Sequence, residues 1–156
     1  MQSTLRPELT DFNSIVCLKA IITGMEEALR DKATAISLVA AGRVRGKQLA
    51  ESLGLAGASL SLEDLTNKVS QTLGKDGTRL LILDKIEQEG DNYKVYTRET
   101  VCSAGEPNGS PRQCTFTLGA VQGVLEAVTG KRFRGKQVAS VLRGDTHDVF
   151  EYAPIG

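Results

Sequence analysis

The stretch that most limits the fold runs from Cys114 to Tyr152, where a helical repeat gives way to a strand repeat. Leu118, Val121, Leu125 and Val128 recur at intervals of three and four, which places them on one helix face. Thr115 or Thr117 offers a capping hydroxyl at the start, and Gly130 stands where a left-handed residue ends a helix. The period then shortens to two. Val138, Ser140 and Leu142 share one strand face, and Ala139 and Val141 the other. Arg143-Gly144-Asp145 is turn chemistry, and Thr146 to Tyr152 returns with Phe150 and Tyr152 on one side. A helix feeding a hairpin is a unit of fold and specifies no reaction.

Upstream, residues 1–8 read as a loose leader and residues 9–156 as one domain. Leu9 to Lys32 reads as a long helix whose stripe is Phe12, Ile15, Val16, Ile22, Met25 and Leu29. Leu18 and Ile21 widen that stripe beyond what one neighbour needs. Two readings stay open: burial in the chain's own core, or a helix shared between a core and a partner chain. Ala35 to Leu55 reads as mostly helical, loosened by Gly42 and Gly46; Ala56 to Leu60 is a linker. Ser61 and Asp64 resemble a capping box ahead of Leu62, Leu65, Val69 and Leu73, with an end at Gly74. Thr78 to Ile86 and Tyr93 to Cys102 read as strands around a Glu89–Asn92 turn. Tyr93, Val95 and Thr97 face one way, Lys94, Tyr96 and Arg98 the other. Ser103 to Gln113, rich in Pro and Gly, reads as a mobile loop.

Charge narrows the function classes. Nineteen basic residues balance nineteen acidic ones, which argues against a general nucleic-acid binder. No apolar run approaches the ~20 residues of a membrane-spanning helix. The three cysteines, Cys17, Cys102 and Cys114, and a polar start point to a reduced, cytoplasmic setting. Cys17 is expected to be buried, and Cys114 to act as a small hydrophobe at the base of the last helix. Cys102 and Cys114 lack the tight spacing of a structural zinc site, so no metal is expected. His147, the only histidine, has Asp145 two residues away but no nucleophile signature to serve, so no catalytic residue is assigned. No phosphate-loop or dinucleotide-binding signature occurs, and no cofactor is expected.

Two glycine pairs with four-residue spacing stand out: Gly42 with Gly46, and Gly119 with Gly123. Missing side chains admit either a closely packed backbone or a ligand. The segment Arg43-Val44-Arg45-Gly46-Lys47-Gln48-Leu49-Ala50 also echoes Arg132-Phe133-Arg134-Gly135-Lys136-Gln137-Val138-Ala139, with no period beyond it.

Cys114, Phe116, Gly119 and Gly123, then Thr129-Gly130-Lys131, and finally Gly144, Asp145 and Phe150 carry a resemblance. With the order of elements over about 9–152, the chain is similar to the 4-vinyl-reductase-type domain. That domain belongs to a superfamily of ligand-binding domains in nitric-oxide signalling and Golgi transport, with the core subunits of the TRAPP trafficking complex as eukaryotic relatives. The resemblance implies an α+β domain: helices on one face of a small antiparallel sheet of two hairpins, dimers through helices, and an apolar pocket linked to acyl chains, hydrocarbons or tetrapyrroles. Bacterial members often carry cysteines where this chain has Ser140 and Asp148, which counts against a metal or thiol site of that kind and against a reductase.

The reading that results is a cytoplasmic homodimer, joined through its N-terminal helices, that binds a small hydrophobic molecule. Gly42, Gly46, Gly119 and Gly123 are expected to leave room for the ligand, and Arg43, Arg45 and Lys47 to hold an acidic head group. The alternative is an assembly module with a sealed core; an enzyme of tetrapyrrole metabolism is a third.

Overall fold

The computed structural model describes residues 6–9, 14–30 and 32–156. Among the described residues, four helices, α1 (Ile15–Leu29), α2 (Lys32–Ser52), α3 (Leu62–Leu73) and α4 (Thr115–Thr129), accompany four strands. These are β1 (Ile82–Glu89), β2 (Asn92–Arg98), β3 (Phe133–Ala139) and β4 (Asp148–Pro154). Two antiparallel hairpins, β1–β2 and β3–β4, join through an antiparallel β2–β4 pair, giving the order β1-β2-β4-β3. The result is the α+β architecture that the resemblance implies.

Alternation decides which sheet face is inward. Val95 and Thr97 of β2 are buried, as are Phe150 and Tyr152 of β4, and Val95 pairs with Phe150 across the strands. Helix α4 lies on this face. Tyr152 donates its hydroxyl hydrogen to the Leu118 carbonyl at 2.7 Å, and Gln122 Nε2 donates to the Phe133 carbonyl at 2.8 Å. Every residue from Thr117 to Glu126 is buried, because α4 has the sheet on one side and α2 on the other. A helix covered all round cannot show a clean apolar stripe. Helix α3 is amphipathic, and Leu65, Val69 and Leu73 are its buried face. Each such side chain contributes about 1.5–3 kcal/mol on burial. Ser61 Oγ accepts from the Asp64 amide at 3.1 Å at its start, and it ends before Gly74.

Several expectations shift. The first helix starts at Ile15, capped by Ser14, and stops at Leu29, where Arg30 is left-handed. Residues 1–5 of the expected leader and Phe12 of the expected stripe lie outside the described residues. Only Ile22 of the α1 stripe is buried; Val16, Ile21 and Leu29 are exposed, and so is Cys17. Helix α2 runs through Gly42 and Gly46 without a break. Leu80 and Leu81 are buried ahead of β1 rather than within it, and β2 ends at Arg98. The last hairpin begins earlier than its periodicity suggests: β3 covers Phe133–Ala139, and Val141–Arg143 form a short 3-10 turn. The Arg43–Ala50 half of the echo therefore lies on α2, and all of its counterpart but Arg132 lies on β3 itself. Cys114, not Thr115 or Thr117, occupies the cap position of α4, while Gly130 ends it in the left-handed region as expected. The hydroxyls of Thr115 and Thr117 are buried without a hydrogen-bond partner among the described residues.

Candidate functional site

The two glycine pairs meet each other. A Cβ on Gly42 would lie 2.1 Å from the Phe116 carbonyl oxygen, and one on Gly46 would lie 2.0 Å from that of Ala120. On the facing helix, a Cβ on Gly119 would meet the Val39 carbonyl at 2.1 Å, and one on Gly123 that of Arg43 at 2.3 Å. Backbone fills the space on both sides. The expectation that these four glycines leave room for a ligand is corrected: they let α2 and α4 cross at backbone contact. Arg43 straps the same crossing. Its Nε and one terminal nitrogen each lie 2.8 Å from Glu126 Oε1, while Glu126 Oε2 accepts from the Phe133 amide at 3.0 Å. Arg43 is therefore already paired, and Lys47 is exposed.

Room exists elsewhere, beneath α1. A cavity of about 1600 Å³ is walled on one side by Ile15, Leu18 and Ile21 of α1. Leu80, Val101 and Phe116 form apolar surface opposite, and the segments 75–79 and 99–104 complete the rim. Of the residues proposed from sequence, Arg45 alone lines it. Arg45 is half-buried and has no ion pair or hydrogen bond with any described residue. A partly desolvated guanidinium without a partner is costly, and an anion placed there offsets that cost. Sequence reasoning missed the 75–80 turn and Val101 as cavity walls. Their only signal was position next to strands, which does not distinguish a wall from a connector.

The loop beside this cavity is tied down. Cys102 and Cys114 are joined by a disulfide across a sequence separation of 12, with Cα atoms 5.2 Å apart. This corrects the reading of Cys114 as an unpaired hydrophobe and removes the cysteine count as an argument for a reducing compartment. Gly109 donates its amide hydrogen to the Leu142 carbonyl at 2.6 Å, and an Arg143 terminal nitrogen donates to the Ser110 carbonyl at 2.9 Å. The loop expected to be mobile is thus held at both ends and at its tip. Lys19 of α1 donates to the Cys102 carbonyl at 2.7 Å and pairs with Glu106 at 2.9 Å. Arg112 bridges Glu106 and Glu26 of α1.

Asp148 sits fully buried beside the disulfide. Oδ2 accepts from Thr100 and Ser103 at 2.7 and 2.8 Å, and Oδ1 accepts from the Val141 amide at 3.1 Å. One ligand atom each from Cys102, Cys114 and Asp148 lies within 4.8 Å of the others. The set does not fit a metal: disulfide sulfurs are not thiolates, both Asp148 oxygens are engaged, and three donors fall short of a tetrahedral set. His147 does not pair with Asp145. Its Nε2 lies 2.8 Å from Asp84 Oδ2, and its Nδ1 2.9 Å from Thr146 Oγ1. Asp84 also accepts from Arg98 Nε at 2.8 Å, and chiefly that hydrogen bond holds its carboxyl below the usual range. A carboxylate so engaged is a surface tether, and it lies outside the lining of the cavity beneath α1.

No known protein family matches the sequence, and no curated protein does. Among solved structures, the chain is similar to the phenol-responsive sensory domain of the transcription activator PoxR, crystallised with phenol. The TM-score is 0.69 at 13% identity, covering 92% of this chain and 75% of that one. It is also similar to trafficking protein particle complex subunit 3 from Naegleria fowleri, covalently bound to palmitic acid. There the TM-score is 0.62 at 15% identity, covering 91% and 93% of the two chains. At these identities the likeness establishes the shared fold.

Proposed function

We propose that this chain binds a small hydrophobic molecule in the cavity beneath α1, with Arg45 holding an acidic head group, and that it does so as a homodimer joined through its N-terminal helices. The observation that carries the reading is the half-buried Arg45, without an ion-pair partner among the described residues, in a cavity that Leu18, Leu80, Val101 and Phe116 also line. Apolar walls with polar groups at the edge are what small-molecule sites share, and here Lys75, Asp76, Arg79 and Glu99 line the same cavity as Arg45. The ligands named with the two structural neighbours, phenol and palmitic acid, support a hydrophobic occupant. Val16 and Leu29 on α1, with Ile36 and Val44 on α2, are exposed and support pairing through these helices.

Displacement of an environment-sensitive fluorophore tests the binding reading. Dodecanoate is expected to compete about tenfold better than dodecanol, the worth of one charge-assisted contact of roughly 1.4 kcal/mol. Arg45→Met is expected to erase that preference while leaving dodecanol unchanged. Absence of displacement by either compound defeats the reading. A second reading, an assembly module working through its surface, draws on the same exposed α1 and α2 residues and on the closed α2–α4 crossing. It predicts a dimer that takes up neither compound.

A further inference from the structure

Helix α1 is the outer wall of the cavity, yet little apolar surface holds it. Ile22 is its only buried residue, with Leu18 and Met25 half-buried against the core. Its other ties to the loop are polar. Lys19 reaches the Cys102 carbonyl and Glu106, and Glu26 reaches Arg112. Every one of these partners belongs to the loop that starts at Cys102 and ends at Cys114, the segment that the disulfide closes. Glu106 and Arg112 pair with each other as well, so a single charged clasp grips α1 at two points one turn or more apart. Thr100, Val101, Ser103 and Ala104, at the Cys102 end of this loop, also line the cavity.

We propose that the Cys102–Cys114 disulfide controls access to the cavity: intact, it fixes the clasp that holds α1 down, and its reduction lets α1 lift. The inference rests on the binding reading above for what enters, but not for the motion of α1. The chemistry is thiol–disulfide exchange with a dithiol. One thiolate of the dithiol attacks a sulfur of the pair and expels the other as a thiolate. The second dithiol sulfur then displaces the mixed disulfide. Two electrons and two protons pass to Cys102 and Cys114, leaving two thiols here and a disulfide on the reductant. Both sulfurs are buried, so attack proceeds from opened molecules. The Gly109–Leu142 and Arg143–Ser110 contacts keep the loop tip in place after reduction. Freedom is gained at the Cys102 end, where Lys19 is attached and where the Ser103–Asp148 hydrogen bond is left to hold the chain.

Hydrogen exchange on the full chain, oxidised and then reduced with dithiothreitol, reads the motion directly. Amides of α1 are expected to exchange about tenfold faster or more after reduction, while those of α3 keep their rate. Glu106→Gln in the oxidised protein leaves the cysteines untouched and is expected to speed α1 exchange likewise. So is the double variant Cys102→Ser with Cys114→Ser in oxidising buffer. Equal α1 exchange in the two redox states overturns the proposal, and so does equal acceleration of α1 and α3, which reports global loosening. Uptake of a neutral alkyl fluorophore is measured in parallel and is expected to quicken with α1 exchange. Faster α1 exchange with no uptake in either state leaves the clasp standing and removes the binding reading.

Discussion

Replacing Gly46 with alanine sets two known quantities against each other. In an isolated helix the change is favourable by about 0.8–1.0 kcal/mol, because alanine is the better helix former. Here the new Cβ would sit 2.0 Å from the Ala120 carbonyl oxygen, about 1.4 Å inside the 3.4 Å where ordinary contact begins. It would also sit 2.8 Å from the Val124 nitrogen and 2.9 Å from the Gly123 Cα. All three are backbone atoms of α4, which is pinned to the sheet through Leu118 and Gln122. No side chain can rotate away, so the helices must part. A gap of 0.5–1 Å already forfeits a quarter to a half of each dispersion contact. Overpacking of this kind costs roughly 1–3 kcal/mol and more where backbone must move. We take about 4 kcal/mol as the gross cost, and about 3 kcal/mol remains after the propensity gain. In a domain of this size that lowers Tm by about 6–12 °C. Gly24→Ala is the internal control. Gly24 lies inside α1 with nothing within 4 Å of its Cβ position, and the same substitution there is expected to stabilise by up to about 1 kcal/mol. Paired thermal and denaturant unfolding of the two variants decides the matter. A neutral or stabilised Gly46→Ala protein would mean that α2 and α4 stand apart, and the glycine strip would become a groove again.

Three further expectations follow from particular contacts. Glu126→Ala strips partners from Arg43 and from the buried Phe133 amide; a loss of about 3 kcal/mol is expected in urea unfolding, somewhat less if the half-buried Arg43 finds water. Glu106 has its carboxyl held below the usual range, first by Lys19 and then by Arg112. A depressed folded value makes its stabilising contribution complete above about pH 4.3 and lost as pH falls through the folded value, so the wild-type minus Glu106→Gln stability difference should shrink on acidification below that point. Burial pushes the Tyr152 hydroxyl well above its ordinary value. Ultraviolet titration should therefore show a tyrosine that ionises only on alkaline unfolding, a step absent from Tyr152→Phe.

What was legible in the residues divides along the range of the interactions involved. Helix α3, with its Ser61 cap and its Leu65, Val69 and Leu73 face, is written in local spacing, because one face meets the core and the other meets water. The inward set of β2 was legible for the same reason, as was the Gly130 stop of α4. Helix α4 was harder at its start, since a helix buried on every side has no polar face to mark its limits. The site was read only in part. Arg45 was among the residues singled out, but its neighbours Arg43 and Lys47 point to different fates that no spacing rule separates: one meets Glu126, 83 residues away, and the other meets solvent.

The sequence by itself determined the order of helices and hairpins and the alternation within β2, since those depend on periodicity and on residues a few positions apart. Only the tertiary structure decided that four glycines close a crossing rather than open a groove, that Cys102 reaches Cys114, and that the cavity lies beneath α1. Each of those outcomes turns on which distant segment fills a given space, and a one-dimensional pattern of small or apolar residues is the same whether a backbone, a sulfur or a ligand takes that place.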